Sequence, residues 1–103
     1  MNGCDSIAIT QAAQDDLLAG YWFYENQQAG IGAYFLNSLY ADIDALLISA
    51  GVHVKTQTGP AFRSLGNRFP FAIYYLLEGT RVTVLAVLDT RRSPEWLRER
   101  QSL

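Results

Sequence analysis

A chain of 103 residues, half of them apolar, is long enough for one small domain around one core and too short for two. Its aromatic content of 13% and its sparse, mixed charges exclude a solvated disordered tail, and a lone cysteine, Cys4, excludes an internal disulfide and a thiolate metal site. The net charge of −2 conceals a segregation of sign. Residues 1–53 carry six carboxylates (Asp5, Asp15, Asp16, Glu25, Asp42, Asp44) and no Lys or Arg, whereas residues 54–103 carry eight cations against four acids, a formal +4. The second half is therefore predicted to meet an anionic partner, either nucleic acid or an acidic protein. Seven of those eight cations are Arg, the side chain suited to bidentate contact with carboxylate or phosphate.

The elements follow in chain order. Residues 7–10 are β-prone and short, and Thr10 is placed to cap a helix whose early turns hold Asp15 and Asp16, favourable beside the positive end of the helix dipole. That helix is predicted over 11–28. Ala13, Leu17, Tyr21, Tyr24 and Gln28 recur at spacings of three and four, with Trp22 and Phe23 widening the apolar stripe, so the aromatic run reads as core. Gly30 and Gly32 allow a reversal. Phe35, Leu36, Leu39, Ile43, Leu46, Leu47 and Ala50 then repeat at helical spacing until Gly51, completing a helical hairpin.

From Val52 onward the pattern is strand-like, punctuated by Gly59-Pro60, Gly66-Asn67, Pro70 and Gly79-Thr80. Strands are predicted over 62–65, 71–78 and 81–89, the last two joined by a two-residue turn at Gly79-Thr80. That turn sets Glu78 opposite Arg81 as an ion pair, Leu77 opposite Val82, Tyr75 opposite Val84, Ile73 opposite Ala86 and Phe71 opposite Leu88. One face is then wholly apolar and is predicted to lie under the helices. Ala72, Tyr74, Leu76, Glu78, Arg81, Thr83, Leu85 and Val87 occupy the other, which is polar enough near its ends to meet solvent or a partner. Ser93-Pro94 signals a short helix over 94–100. The expected fold class is α+β, a two-layer domain spanning residues 1–103 with an N-terminal helical hairpin packed on a small antiparallel sheet. The apolar runs at 71–77 and 82–88 fall short of the roughly 20 residues a bilayer span needs, so no membrane helix is expected. The N-terminus lacks a basic region before an apolar stretch, so the expected location is cytoplasmic, in keeping with an unpaired thiol.

Three segments together resemble the RelE/ParE family of toxins, whose members are often described as plasmid stabilisation proteins. The first runs from Ala13 through Asp16-Leu17, Tyr21, Tyr24-Glu25, Gly30-Ile31-Gly32, Phe35 and Leu39 to Ile43. The second is Arg63-Ser64-Leu65 followed by Arg68-Phe69-Pro70-Phe71 and Ile73-Tyr74-Tyr75. The third is the run Val84-Leu85-Ala86-Val87-Leu88 followed by Arg91-Arg92, Pro94, Trp96 and Arg100. The resemblance implies a helical hairpin over an antiparallel sheet, a co-expressed antitoxin that wraps the toxin, an operator-DNA complex formed through that antitoxin, and no cofactor. One departure stands out. Similar chains carry His after the last strand, where this one has Asp89, and its only histidine, His53, precedes the sheet.

The family divides by target. RelE-like members cut ribosome-bound messenger RNA, and such cleavage needs a base, a proton donor and positive charge on the phosphate. Arg63, Arg68 and Arg91 would supply charge and Tyr74 a proton. A good base is missing, since Glu78 is expected to pair with Arg81, and His53 and Lys55 lie in a predicted loop. ParE-like members inhibit DNA gyrase as protein ligands and need a shaped, charged surface with no catalytic set. Arg63, Arg68, Arg91, Arg92, Trp96, Arg98 and Arg100 are the residues expected to bind target or partner, combining Arg and aromatic anchors. The expectation is therefore a ParE-like toxin that is not an enzyme. The alternatives are a RelE-like endoribonuclease and an inactive member that binds only its antitoxin.

Overall fold

The computed structural model describes residues 3–56 and 59–91. In chain order these form β1 (Ser6–Ile9), α1 (Gln11–Glu25), α2 (Ile31–Asp44), α3 (Leu46–Ser49), β2 (Val54–Lys55), β3 (Phe62–Leu65), β4 (Phe71–Glu78) and β5 (Arg81–Asp89). Two helices cross one face of a five-stranded sheet ordered β1-β5-β4-β3-β2. The class is α+β, as expected, with one amendment: β1 pairs with β5 in parallel, so the sheet is mostly rather than wholly antiparallel. The predicted helix over 94–100 lies outside the described residues.

Thr10 caps α1 as its sequence position predicts, its Oγ1 accepting from the Ala13 N–H at 3.2 Å. The helix ends at Glu25 rather than Gln28, because Gly30, in the left-handed region at φ 95°, starts the turn that α2 needs. Glu25 itself completes the reversal, its carboxylate accepting from the N–H groups of Gly30 at 3.0 Å and Gly32 at 3.0 Å. Those donors belong to the unsatisfied first turn of α2, and the negative charge also suits that helix end. Gly20 and Gly32 let the helices approach: a Cβ at Gly20 would run into the Phe35 ring, and one at Gly32 into Tyr21 and Glu25. The second predicted helix breaks after Asp44, with Ala45 capping α2 and starting the short α3. The stretch Ile31–Ser49 is long and apolar enough, by length and composition, to cross a membrane. Here its Phe35, Leu39, Ile43 and Leu46 are buried in the core.

β4 and β5 begin as the turn dictates, with Glu78 opposite Arg81, Leu77 opposite Val82 and Tyr75 opposite Val84. The register then slips. Tyr74 pairs with Ala86, Ile73 with Val87 and Phe71 with Asp89, leaving Leu85 as the extra residue of a β-bulge. The expected pairs of Ile73 with Ala86 and Phe71 with Leu88 are therefore each wrong by one residue. Because side chains alternate with period two, the slip moves Val87 under the helices and turns Ala86 and Leu88 to the opposite face. On β4 the face assignment stands, with Phe71, Ile73 and Tyr75 in the helix-facing core. The opposite face is more apolar than expected, with Ala72, Tyr74, Ala86 and Leu88 forming a second buried cluster.

Helix α1 supplies what the bulge lacks. Thr10 Oγ1 donates to the Leu85 carbonyl at 3.3 Å, and the Val87 N–H donates to the Asp16 carboxylate at 3.0 Å. The two residues read from sequence as a cap and a dipole partner thus also satisfy backbone groups that the register slip frees.

Candidate partner-binding surface

Arg63, Arg68, Tyr74 and Arg91, the residues that a ribonuclease reading requires together, fall on different parts of the molecule. Arg63 on β3 is paired in register with Tyr74 on β4, and its Nε donates to the Tyr74 hydroxyl at 3.3 Å. This contact lies on the face away from the helices. Arg68 instead reaches the helical layer, its guanidinium donating to the Tyr34 hydroxyl of α2 at 3.3 Å. Arg91, just past β5, makes a two-point contact with Asp89, from Nε at 2.9 Å and from Nη2 at 2.8 Å, and its Nη2 also reaches the Tyr24 hydroxyl of α1 at 3.4 Å. The adjoining carboxylate, by hydrogen bond and by charge, raises the Arg91 pKa above the ordinary guanidinium value. Its side chain remains 57% exposed.

Arg68 and Arg91 share a base of aromatic rings. Phe69 lies 4.9 Å from Tyr24, 5.5 Å from Tyr34 and 5.2 Å from Phe35, all between ring centroids. The two arginines therefore each donate to a tyrosine hydroxyl at the rim of one aromatic cluster, an arrangement that presents planar cations beside aromatic rings. Tyr24, Tyr34 and Phe69 carry this geometry and were not singled out as site residues by the sequence. The signal was present in Arg68-Phe69-Pro70, where an aromatic adjoins an arginine at a turn. Beside Arg91 lies a cavity of about 340 Å³ walled by Ala19, Gly20, Phe23, Phe71, Val87 and Leu88, with Asp16 and Asp89 at its edge. Both carboxylates are engaged, the first on Val87 N–H and the second on Arg91. Trp22 and Phe23, expected in the core, are each 53% exposed.

The candidate bases are elsewhere. His53 Nδ1 shares a hydrogen bond of 2.6 Å with the Tyr75 hydroxyl, which also accepts from Gly51 N–H at 2.9 Å. Lys55 Nζ sits 5.3 Å from the centroid of Phe62, whose ring stacks on Tyr75. Tyr75 belongs to the helix-facing core, so His53 and Lys55 are drawn to the side opposite Arg63 and Tyr74. Glu78 stands opposite Arg81 without the expected ion pair; between described residues the one ion pair is Arg91–Asp89. Glu78 lies four residue steps along β4 from Tyr74, roughly 13 Å, so it does not share a reacting phosphate with that phenol. Arg92, Trp96, Arg98 and Arg100 lie outside the described residues, and no His/Cys/Asp/Glu cluster of metal-binding kind occurs among the described ones.

The sequence matches no protein-family model and no curated protein. Among solved structures, a chain from a structure described as the chromosomal ParDE TA system from P. aeruginosa superposes with a TM-score of 0.75 at 16% identity, covering 84% of this chain and 96% of that one. The chain accordingly has the RelE/ParE-like fold, a helical hairpin on a mostly antiparallel five-stranded sheet.

Proposed function

We infer that the chain is the toxin of a type II toxin-antitoxin pair, ParE-like in kind, which inhibits DNA gyrase as a protein ligand and is neutralised by a cognate antitoxin. The observation that carries this reading is the likeness over nearly the full length of a chain from a ParDE TA system. Fold alone does not fix the target, and the choice of gyrase over messenger RNA rests on the site. Arg63 and Tyr74 meet, but among the described residues no acid or base is bonded to either of them, and Arg68 and Arg91 reach the helical layer. A protein ligand needs only a presented surface, which Arg68, Arg91 and their aromatic base provide. Arg92, Trp96, Arg98 and Arg100 extend the proposed surface in sequence. On this reading the protein is not an enzyme, works in the cytoplasm without a cofactor, and joins operator DNA only through its antitoxin.

The Arg63–Tyr74 contact favours a second reading, a ribosome-dependent endoribonuclease in which Arg63 polarises the phenol of Tyr74. Inducible expression in a bacterial host separates the two. The gyrase reading expects growth arrest with induction of the DNA-damage response and intact messenger RNA, relieved by co-expressing the small open reading frame beside the gene. Codon-positioned messenger cuts without DNA damage would establish the second reading. A host that grows normally would leave an inactive chain that only binds its antitoxin.

A further inference from the structure

Arg91 stands on the surface proposed to meet a target, yet its donors are already in use within the chain. A guanidinium grips a carboxylate with two parallel bonds along one of two edges, either Nε with Nη2 or Nη1 with Nη2. Asp89 fills the first edge, its two carboxylate oxygens accepting at 2.9 Å and 2.8 Å. The second edge shares Nη2, which also reaches the Tyr24 hydroxyl at 3.4 Å. A carboxylate of the chain itself therefore sits where a partner's carboxylate would bind.

The surrounding turn lets this contact open without disturbing the fold. Thr90, between the two residues, is fixed to the Pro70 carbonyl by its N–H at 2.8 Å and its hydroxyl at 3.0 Å. The Arg91 N–H donates separately to Asp89 Oδ1 at 2.8 Å. These bonds hold the backbone and leave Asp89 a donor when the Arg91 side chain swings away. That side chain is 57% exposed, so it moves into water and not out of a core. The seat also indicates the class of group that replaces Asp89. It holds a carboxylate on both donors, and a chain of net charge −2 with six acids in its first half opposes a polyphosphate track. We propose that Asp89 is an internal competitor that holds Arg91 closed in the unbound chain and yields it to a carboxylate of an acidic protein segment. The inference rests on the reading of Arg91 as a recognition residue and makes Asp89 the regulator of that surface.

The wild-type chain, Asp89→Asn and Asp44→Asn are titrated with a hexaglutamate peptide, with binding read by NMR at the Arg91 Nε–Hε resonance. Asp89→Asn keeps an oxygen for the Arg91 N–H but removes the competing charge, so affinity should rise about threefold, the scale of an exposed ion pair. Asp44→Asn takes the same charge from an exposed position on α2 and should leave the affinity unchanged. Unchanged or weaker binding by Asp89→Asn would overturn the proposal, because Asp89 would then orient Arg91 for its partner. An equal gain in Asp44→Asn would also overturn it, reducing the effect to net charge. So would the absence of any peptide-dependent change at Arg91, a gain seen with dodecathymidylate but not with the peptide, or unfolding of Asp89→Asn. In gyrase supercoiling, Asp89→Asn should inhibit at about one third of the wild-type concentration. No inhibition by either chain, with the peptide gain intact, would sink the gyrase reading and leave the competitor role standing.

Discussion

The carboxylates of the first half and the arginines of the second are both held by hydrogen bonds, but to different ends. Asp16, Glu25 and Asp42 point onto backbone N–H groups at a bulge, a helix start and a loop, where they close gaps in the fold. Arg63, Arg68 and Arg91 instead lean on the hydroxyls of Tyr74, Tyr34 and Tyr24 with their guanidinium groups at the surface. A backbone donor left unpaired on burial costs free energy, whereas an exposed cation released from a phenol returns to water. The acids therefore act on folding, and the arginines remain available for the recognition proposed for them.

Substitutions that break this division are ranked by the same physics. Asp16→Ala strips the acceptor from the partly buried Val87 N–H and loosens the bulge that sets the faces of β5. It should destabilise by about 1–3 kcal/mol in urea unfolding, and a loss within error would mean that the bulge holds without α1. Glu25→Ala uncaps α2 and should cost about 1 kcal/mol, seen as a lowered midpoint with unchanged slope. Arg68→Ala and Arg91→Ala should each alter stability by no more than about 0.5 kcal/mol while weakening target binding measurably. A large stability loss in either would assign these arginines to the fold and erase the contrast.

Tyr75 sharpens the comparison from inside the core. Burial pushes its hydroxyl above the ordinary phenol pKa of 10.0, partly offset by the Gly51 N–H that it accepts. The folded state therefore holds the phenolic proton more firmly than the unfolded chain. Stability from this group is complete below the unfolded value and lost as pH climbs through the folded one. Thermal midpoints should fall above pH 10, and Tyr75→Phe should flatten that alkaline decline while losing the bonds to Gly51 and His53. An unchanged decline in Tyr75→Phe would place the titration elsewhere.

Much of the fold was legible because its signals are local. Thr10 caps α1, and β3, β4 and β5 begin and end where turn residues and β-prone runs place them. Their place in an antiparallel sheet under a helical hairpin was also implied by the family resemblance. The bulge was not legible. Val82 to Leu88 is apolar at every position but Thr83, so neither face is marked, and the slip at Leu85 is decided by Thr10 and Asp16 over seventy residues away in sequence. The parallel pairing of β1 with β5 is likewise tertiary, since four residues of strand carry no record of their neighbour. For the site, composition pointed to the arginines but not to the tyrosines that hold them, because Tyr24 sits at a helical spacing that reads as core and Tyr34 lies outside the apolar stripe of its helix. Their hydroxyls reach Arg91 and Arg68 only once α1, α2 and the Phe69 loop meet.

The central claim, a surface that inhibits gyrase without catalysis, is tested most directly with purified protein. DNA gyrase supercoiling and ribosome-dependent messenger cleavage are run side by side with the wild-type chain and with Arg91→Ala/Arg92→Ala. The account predicts inhibited supercoiling or trapped double-strand breaks, intact messenger, and at least tenfold weaker inhibition by the variant. Normal supercoiling together with codon-positioned cuts in the messenger would contradict it and move Arg63 and Tyr74 to the centre of the mechanism.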